Sequence, residues 1–132
     1  IYMDDYAHHP QEINALVSAV RDFWPGKHVT GVFQPHLYTR TRDFADGFAG
    51  ALDRLDEVLL LTLYPAREEP IAGVSSDMIA GLMKNRNVKV VTRGELLIAL
   101  RDVKPGLLLT IGAGDIDRFI EPITEMLKEG NR

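Results

Sequence analysis

The 132-residue sequence contains no cysteine, which excludes a disulfide framework and any thiolate metal site. No apolar run approaches the length of a membrane span. No signal peptide opens the chain, so a cytoplasmic protein is expected. Positive charge is scarce as well: 15 lysines and arginines face 19 aspartates and glutamates, a formal charge of −4 at pH 7. A binder of nucleic acid or of a membrane surface carries the opposite sign and a basic stripe, so neither partner is expected. A His-Glu-x-x-His spacing, a G-x-x-x-x-G-K-[ST] phosphate loop and a nucleophile elbow are all missing. This argues against a zinc site, a self-contained nucleotide phosphate site and an α/β-hydrolase centre.

What is present is ordinary for a soluble fold. Hydrophobic residues make up 45% and charged residues 26% of the chain, which excludes a disordered polymer. The length suits one domain, residues 1–132, burying roughly two-thirds of the surface of its unfolded chain. The opening Ile1-Tyr2-Met3-Asp4-Asp5 has no initiator methionine, and a segment cut from a longer protein is expected.

Apolar runs alternate with helical patterns. Ile13, Leu16, Val17, Val20, Phe23 and Trp24 follow the i, i+3, i+4, i+7 rule, with Pro10 in the first turn and Pro25-Gly26 as the stop. Val29 to Phe33 reads as a strand. A second helix carries Phe44, Phe48, Leu52 and Leu55 on one face. Val58 to Leu63 suits a strand buried on both sides. Ser75 and Ser76 are placed to cap a third helix through Ile79, Leu82 and Met83. Val88 to Val91 is a short strand, and Thr92-x-x-Glu95 is a capping-box pattern opening a fourth helix. Leu107 to Ile111 is the last strand. Ile116, Phe119, Ile120, Ile123 and Leu127 form a final helical face in which Pro122 predicts a kink. This alternation predicts an α/β fold: a Rossmann-like, three-layer α/β/α domain with a mostly parallel sheet of about five or six strands.

Such sheets bind ligands beyond the carboxyl ends of their strands. The rule selects five loops: Asp4-Asp5-Tyr6-Ala7-His8-His9, Gln34-Pro35-His36, Tyr64 to Val74, Thr92-Arg93 and Gly112-Ala113-Gly114-Asp115. Arg40 and Arg42 fall at the start of the second helix, where the helix dipole disfavours cations. Either a bound anion offsets that cost or a carboxylate such as Asp43 or Asp46 pairs with them. Asp4 and Asp5 suit Mg²⁺, ribose hydroxyls or a helix cap. Adjacent His8 and His9 point apart and do not share a metal. His36 is a satisfied loop histidine unless it joins the arginines. Gly112-Ala113-Gly114 has Asp117 where a dinucleotide fingerprint needs its third glycine, so a tight strand-to-helix turn is expected.

Asp4-Asp5-Tyr6-Ala7-His8-His9-Pro10, then Phe33-Gln34-Pro35-His36-Leu37-Tyr38-Thr39-Arg40-Thr41-Arg42-Asp43, resemble the Mur ligase family. Tyr64-Pro65-Ala66-Arg67-Glu68 through Pro70-Ile71 and Gly73-Val74, and then Gly112 to Ile116, extend the resemblance over essentially the whole chain. The second string is similar to the branch that joins L-alanine to UDP-N-acetylmuramate for peptidoglycan. The resemblance implies an enzyme of three domains. One binds the UDP-sugar, a central one holds the ATP phosphate loop, and this segment is the C-terminal one. ATP phosphorylates the substrate carboxylate with Mg²⁺, bound mainly by the central domain, and the amine attacks the acyl phosphate to give an amide. Carried over, Asp5 contacts the ATP ribose and His8 lies against the nucleotide. His36 and Arg40, with Arg42 as a weaker member, hold the carboxylate of L-alanine. Leu37 stands where some relatives carry arginine, so that contact does not transfer, and Ala7 replaces a common glycine.

Three other readings compete. A phosphoacceptor receiver domain needs an aspartate after the third strand and a lysine after the fifth, where this sequence has Tyr64-Pro65 and Gly112-Ala113. The ligase that recycles murein tripeptide shares an Asp-x-x-His-His-Pro-like motif but lacks the Gln-Pro-His-x-Tyr-Thr-Arg string. A stand-alone, non-catalytic nucleotide- or anion-binding module is the remaining alternative.

Overall fold

The computed structural model of the chain describes residues 2–103 and 106–130; Ile1 of the opening Ile1-Tyr2-Met3-Asp4-Asp5 lies outside them. Strands β1 (Tyr2–Asp5), β2 (Val29–Phe33), β3 (Glu57–Leu61), β4 (Val88–Val91) and β5 (Leu107–Ile111) form one sheet in the order β1-β5-β2-β3-β4. Every pairing is parallel. Helices α1 (Pro10–Phe23), α2 (Tyr38–Leu52), α3 (Ser76–Leu82), α4 (Leu96–Val103) and α5 (Ile120–Gly130) connect and follow the strands, with a 3-10 turn, Asp115–Phe119, ahead of α5.

Side chains alternate across a strand, so an uninterrupted apolar run feeds two cores. On one face Val29, Phe33, Val58, Leu60, Leu107 and Leu109 pack under α1, α2 and α3. On the other, Val32, Leu59, Leu61 and Leu108 pack under α4, α5 and the 3-10 turn. The expected three-layer arrangement is present, with five strands.

Several local expectations shift for physical reasons. Phe23 and Phe44 are exposed, 78% and 41%, and so is Leu82. α2 kinks at Phe44 (φ −120°, ψ 16°), which turns Thr41 and Ala45 inward instead, ahead of Phe48 and Leu52. Pro122 sits in the first turn of α5, where a missing N–H costs nothing, so no kink within the helix is needed. Ser76 does not cap α3: its hydroxyl donates to the Leu61 carbonyl and pins the helix to β3. Glu95 does accept from the Thr92 N–H, at 2.9 Å, as the capping pattern predicts.

The order of the strands fixes where a ligand can sit. β1 and β2 lead into helices on one face, while β5, lying between them, leads into the 3-10 turn and α5 on the other. Loops therefore diverge on both sides of β5 and open a crevice beyond the carboxyl ends. Both cores close with residues of this chain, so the isolated chain is expected to unfold in one cooperative urea transition. A broad, drawn-out melt would overturn that expectation.

Candidate functional site at the carboxyl ends of the strands

The two aspartates ending β1 have different environments. Thr110 donates its hydroxyl proton to Asp4 Oδ1 at 2.6 Å, so the Tyr2 phenol, 2.9 Å from Thr110 Oγ1, is the donor in that contact. Burial holds the Tyr2 phenol above its usual range, which keeps it protonated for this role. Asp4 is thereby tied to the sheet edge. Asp5 commits one oxygen, Oδ1, to the Ala7 N–H at 2.9 Å. Its second oxygen stays on a half-buried carboxylate at the mouth of the crevice. Neither aspartate caps α1; Glu12 does, accepting from the N–H groups of His8 (3.3 Å) and His9 (3.1 Å).

His8 Nδ1 lies 3.1 Å from the Tyr6 carbonyl and 3.6 Å from Glu12 Oε1. Both neighbours are acceptors, so Nδ1 is the donor in these contacts. The two histidines do not point apart as expected. Their ring centroids are 5.5 Å apart, within a run in which Tyr6 stands edge-on to His8 at 5.7 Å and His9 edge-on to Phe44 at 5.1 Å.

The loops after β2 and β3 are joined. His36 and Tyr64 form an isolated parallel bridge with their rings stacked 5.6 Å apart. The Leu37 N–H donates to the Tyr64 carbonyl and the Tyr64 N–H to the Pro35 carbonyl, each at 2.8 Å. Leu37, which precedes α2, adopts φ 73°. One helical turn on, Arg40 Nη1 donates to His36 Nδ1 at 3.2 Å. Burial, then the charges of Arg40 and His8, hold His36 below the usual histidine range, although Glu68 pulls the other way. The ring is therefore neutral and accepts through Nδ1. Among the described residues Arg40 has no carboxylate partner.

Arg42 behaves differently. It is exposed and binds Asp43 Oδ1 at 2.9 Å, the surface pairing that the sequence left open. The first turn of α2 holds no acid of its own. Glu68, from the long loop after β3, fills that need: its carboxylate accepts from the Thr39 N–H at 3.0 Å and the Thr39 hydroxyl at 2.6 Å. These bonds, Thr39 foremost, hold Glu68 below the usual carboxylate range.

The floor of the crevice is polar and buried. Gln34, 2% exposed, donates from Nε2 to Asp115 Oδ1 at 2.6 Å and accepts the Ile116 N–H at 2.9 Å. Arg93 closes on Asp115 Oδ2 at 2.9 Å. The loops after β2, β4 and β5 are thus one network. Gly112 (φ 148°) and Gly114 let the β5 loop pass against Gln34. Gln34, Arg93, Asp115 and Glu68 received no role from the sequence. The one signal for Gln34 is its place between Phe33 and Pro35, at the end of an apolar strand.

Asp5 and His8 thus stand at the end of β1, and His36 and Arg40 beyond β2, close enough for the charge of His8 to act on His36; Arg42 is turned to the surface. The half-buried group joins the Asp5 carboxylate, with one oxygen bound to Ala7, two imidazoles and a guanidinium with unused N–H donors. It suits a polyol on one side and an anion on the other. A concavity lined by Glu57, Arg86, Lys89 and Asp102 lies at the amino ends of β3 and β4, away from the crevice where such sheets bind ligands.

A family model described as "Mur ligase, glutamate ligase domain" matches residues 1–114. A UDP-N-acetylmuramate–L-alanine ligase of Flavobacterium johnsoniae is 50% identical over 129 residues, covering 98% of this chain and 29% of the relative. One from Cytophaga hutchinsonii is 54% identical over 123 residues, covering 93% and 26%. The chain therefore spans between a quarter and a third of the length of these relatives. The crystal structure of UDP-N-acetylmuramate–alanine ligase from Thermotoga maritima is similar with a TM-score of 0.65 and 27% identity, over 91% of this chain and 26% of that one.

Proposed function

Because this chain belongs to the Mur ligase family, as its glutamate ligase domain, we propose that it is the C-terminal domain of an ATP-dependent ligase. The proposed reaction joins L-alanine to UDP-N-acetylmuramate for peptidoglycan. The carrying observation is the 50% identity over 98% of the chain to a relative of that name. The site geometry agrees with it. Asp5, with a carboxylate oxygen to offer, suits a ribose hydroxyl of ATP, and His8 lies beside it as a nucleotide contact. Arg40 and the neutral His36 suit the carboxylate of L-alanine, holding the amino acid by the end that does not react. Arg42, paired with Asp43 at the surface, is the weaker candidate.

ATP supplies the phosphoryl group that activates the substrate carboxylate; this chain orients groups and leaves the phosphates to domains outside it. Among the described residues no group of three or more histidine, aspartate or glutamate side chains is placed to hold a metal ion, and Mg²⁺ is assigned mainly to the central domain. No helix among the described residues is long and apolar enough to cross a membrane, which fits the proposed cytoplasmic setting.

The test is amide formation from ATP, Mg²⁺, UDP-N-acetylmuramate and L-alanine by the full-length protein. The 132-residue chain alone is expected to show none, since it has no phosphate loop. In the full-length protein Asp5→Ala should raise KM for ATP by about tenfold, the loss of one hydrogen bond to a charged group, and leave KM for L-alanine within about twofold. A full-length protein that turns over ATP with another amino acid but not with L-alanine would overturn the substrate assignment.

A further inference from the structure

Among the described residues only two other than glycine have positive φ, and both lie at the same junction: Leu37 at 73° and Ala66 at 55°. Such backbone is costly for a side chain with a Cβ and persists only where surrounding contacts hold it. The contacts here are specific. The Leu37 N–H is fixed by the Tyr64 carbonyl, and the turn through Ala66 closes with the Glu68 N–H on the Pro65 carbonyl at 3.0 Å. The turn delivers Glu68 to Thr39, where its two oxygens take the main-chain N–H and the hydroxyl. Thr39 is followed by Arg40 and separated from His36 by Leu37 and Tyr38. The carboxylate also offsets the cost of placing Arg40 in a helical first turn that holds no acid.

We propose that Glu68 is a positioning residue: it latches the Tyr64–Val74 loop onto the first turn of α2, and so holds the His36–Arg40 pair in place for the carboxylate of the incoming amino acid. Glu68 itself does not touch that carboxylate, since its oxygens are committed to Thr39 and two carboxylates repel. The role in amino-acid binding rests on the proposed ligase reading; the latch does not.

The experiment compares wild type, Glu68→Ala, Glu68→Gln, Thr39→Ser and the neighbouring control Glu69→Ala in the full-length protein. Steady-state kinetics are read with each substrate varied, and hydrogen exchange is read at the Thr39 amide. Glu68→Ala should raise KM for L-alanine by about tenfold, with kcat and KM for ATP within about twofold. Its Thr39 amide should exchange about tenfold faster or more. Thr39→Ser keeps the hydroxyl and should behave as wild type, as should Glu69→Ala. Glu68→Gln keeps the size and one acceptor oxygen, so it should fall between wild type and Glu68→Ala, and it decides the matter if the alanine variant does not fold. An unchanged KM for L-alanine, or a parallel loss in kcat and in KM for both substrates, overturns the positioning role. Unchanged Thr39 exchange overturns the latch. A wild-type protein that does not use L-alanine overturns the ligase reading alone, because the exchange measurement still decides on the latch.

Discussion

Arg40→Ala in the full-length ligase should raise KM for L-alanine by about ten- to a hundredfold, the effect of losing roughly 1.5–3 kcal/mol of charge-assisted hydrogen bonding. KM for ATP should move little. The expectation rests on what Arg40 binds within the chain. Its one contact is a donation to His36 Nδ1, which leaves four of the five guanidinium N–H donors for a ligand. Arg42 is the internal comparison: exposed and paired with Asp43, its replacement by alanine should leave stability and KM for L-alanine close to wild type. Lysine at position 40 should restore little, because an ammonium cannot reach His36 and a carboxylate in the same planar fork. A pH dependence follows from His36, whose lowered pKa keeps the ring neutral, so the Arg40 contact is intact at and above neutrality. As pH falls through that lowered pKa, Nδ1 gains a proton, stops accepting and repels the guanidinium. KM for L-alanine should therefore rise on the acid side, below the ordinary histidine range, in wild type and not in Arg40→Ala. An unchanged alanine KM and kcat in Arg40→Ala would show that the carboxylate is held elsewhere.

The sequence reveals the sheet more readily than the site. Val29–Phe33 and Leu107–Ile111, buried along their whole length, announce strands with the bounds the structure gives them, because burial on both faces demands an apolar run; the edge strand Val88–Val91 has its expected bounds although Lys89 within it is exposed. Helical faces are legible where the helix is straight: Ile13, Leu16, Val17 and Val20 are all buried. Phe48, Leu52 and Leu55 are buried as the pattern predicts; Phe44, at the kink, is the exception, and Ala45, Ala49 and Ala51 fill out the inner face of α2. The loops that bear the site were selected by the rule for parallel sheets, and Arg40 by its clash with the helix dipole. Its compensating acid was not legible. Asp43 and Asp46 are near in sequence, but Glu68 is brought to Thr39 across 29 residues by the pairing of His36 with Tyr64. Gln34 meets Asp115 across 81 residues for a similar reason, since β5 inserts between β1 and β2. Contacts set by strand order leave no mark in local spacing.

Gly114→Ala should destabilise the fold by about 2–4 kcal/mol, the sum of an overpacked site and a broken buried hydrogen bond. Its φ of −91° lies outside the left-handed region that favours glycine, so a positive φ is not the obstacle. Space is. An added Cβ would lie 2.5 Å from Gln34 Oε1, 2.9 Å from Tyr64 Cβ and 3.0 Å from Tyr64 Cγ. Neither neighbour yields easily. The Gln34 amide is bound at both ends, to Asp115 and to the Ile116 N–H, and moving it orphans a buried donor. Tyr64 is fixed through its own main chain to Pro35 and Leu37, so displacing it moves His36 as well. Gly114 touches neither substrate in the proposed complex, yet its replacement should raise KM for L-alanine along with the loss of stability. Gly50→Ala supplies the contrast. Gly50 is an exposed position within α2 with nothing within 4 Å of an added Cβ, and alanine there should stabilise by about 0.5–1 kcal/mol through helix propensity alone. Urea titration of both variants decides: the midpoint should fall for Gly114→Ala and rise for Gly50→Ala, with unchanged slopes. A wild-type midpoint in Gly114→Ala would mean that the β2 and β3 loops can part without cost, and a junction that soft could not hold the His36–Arg40 pair in one geometry.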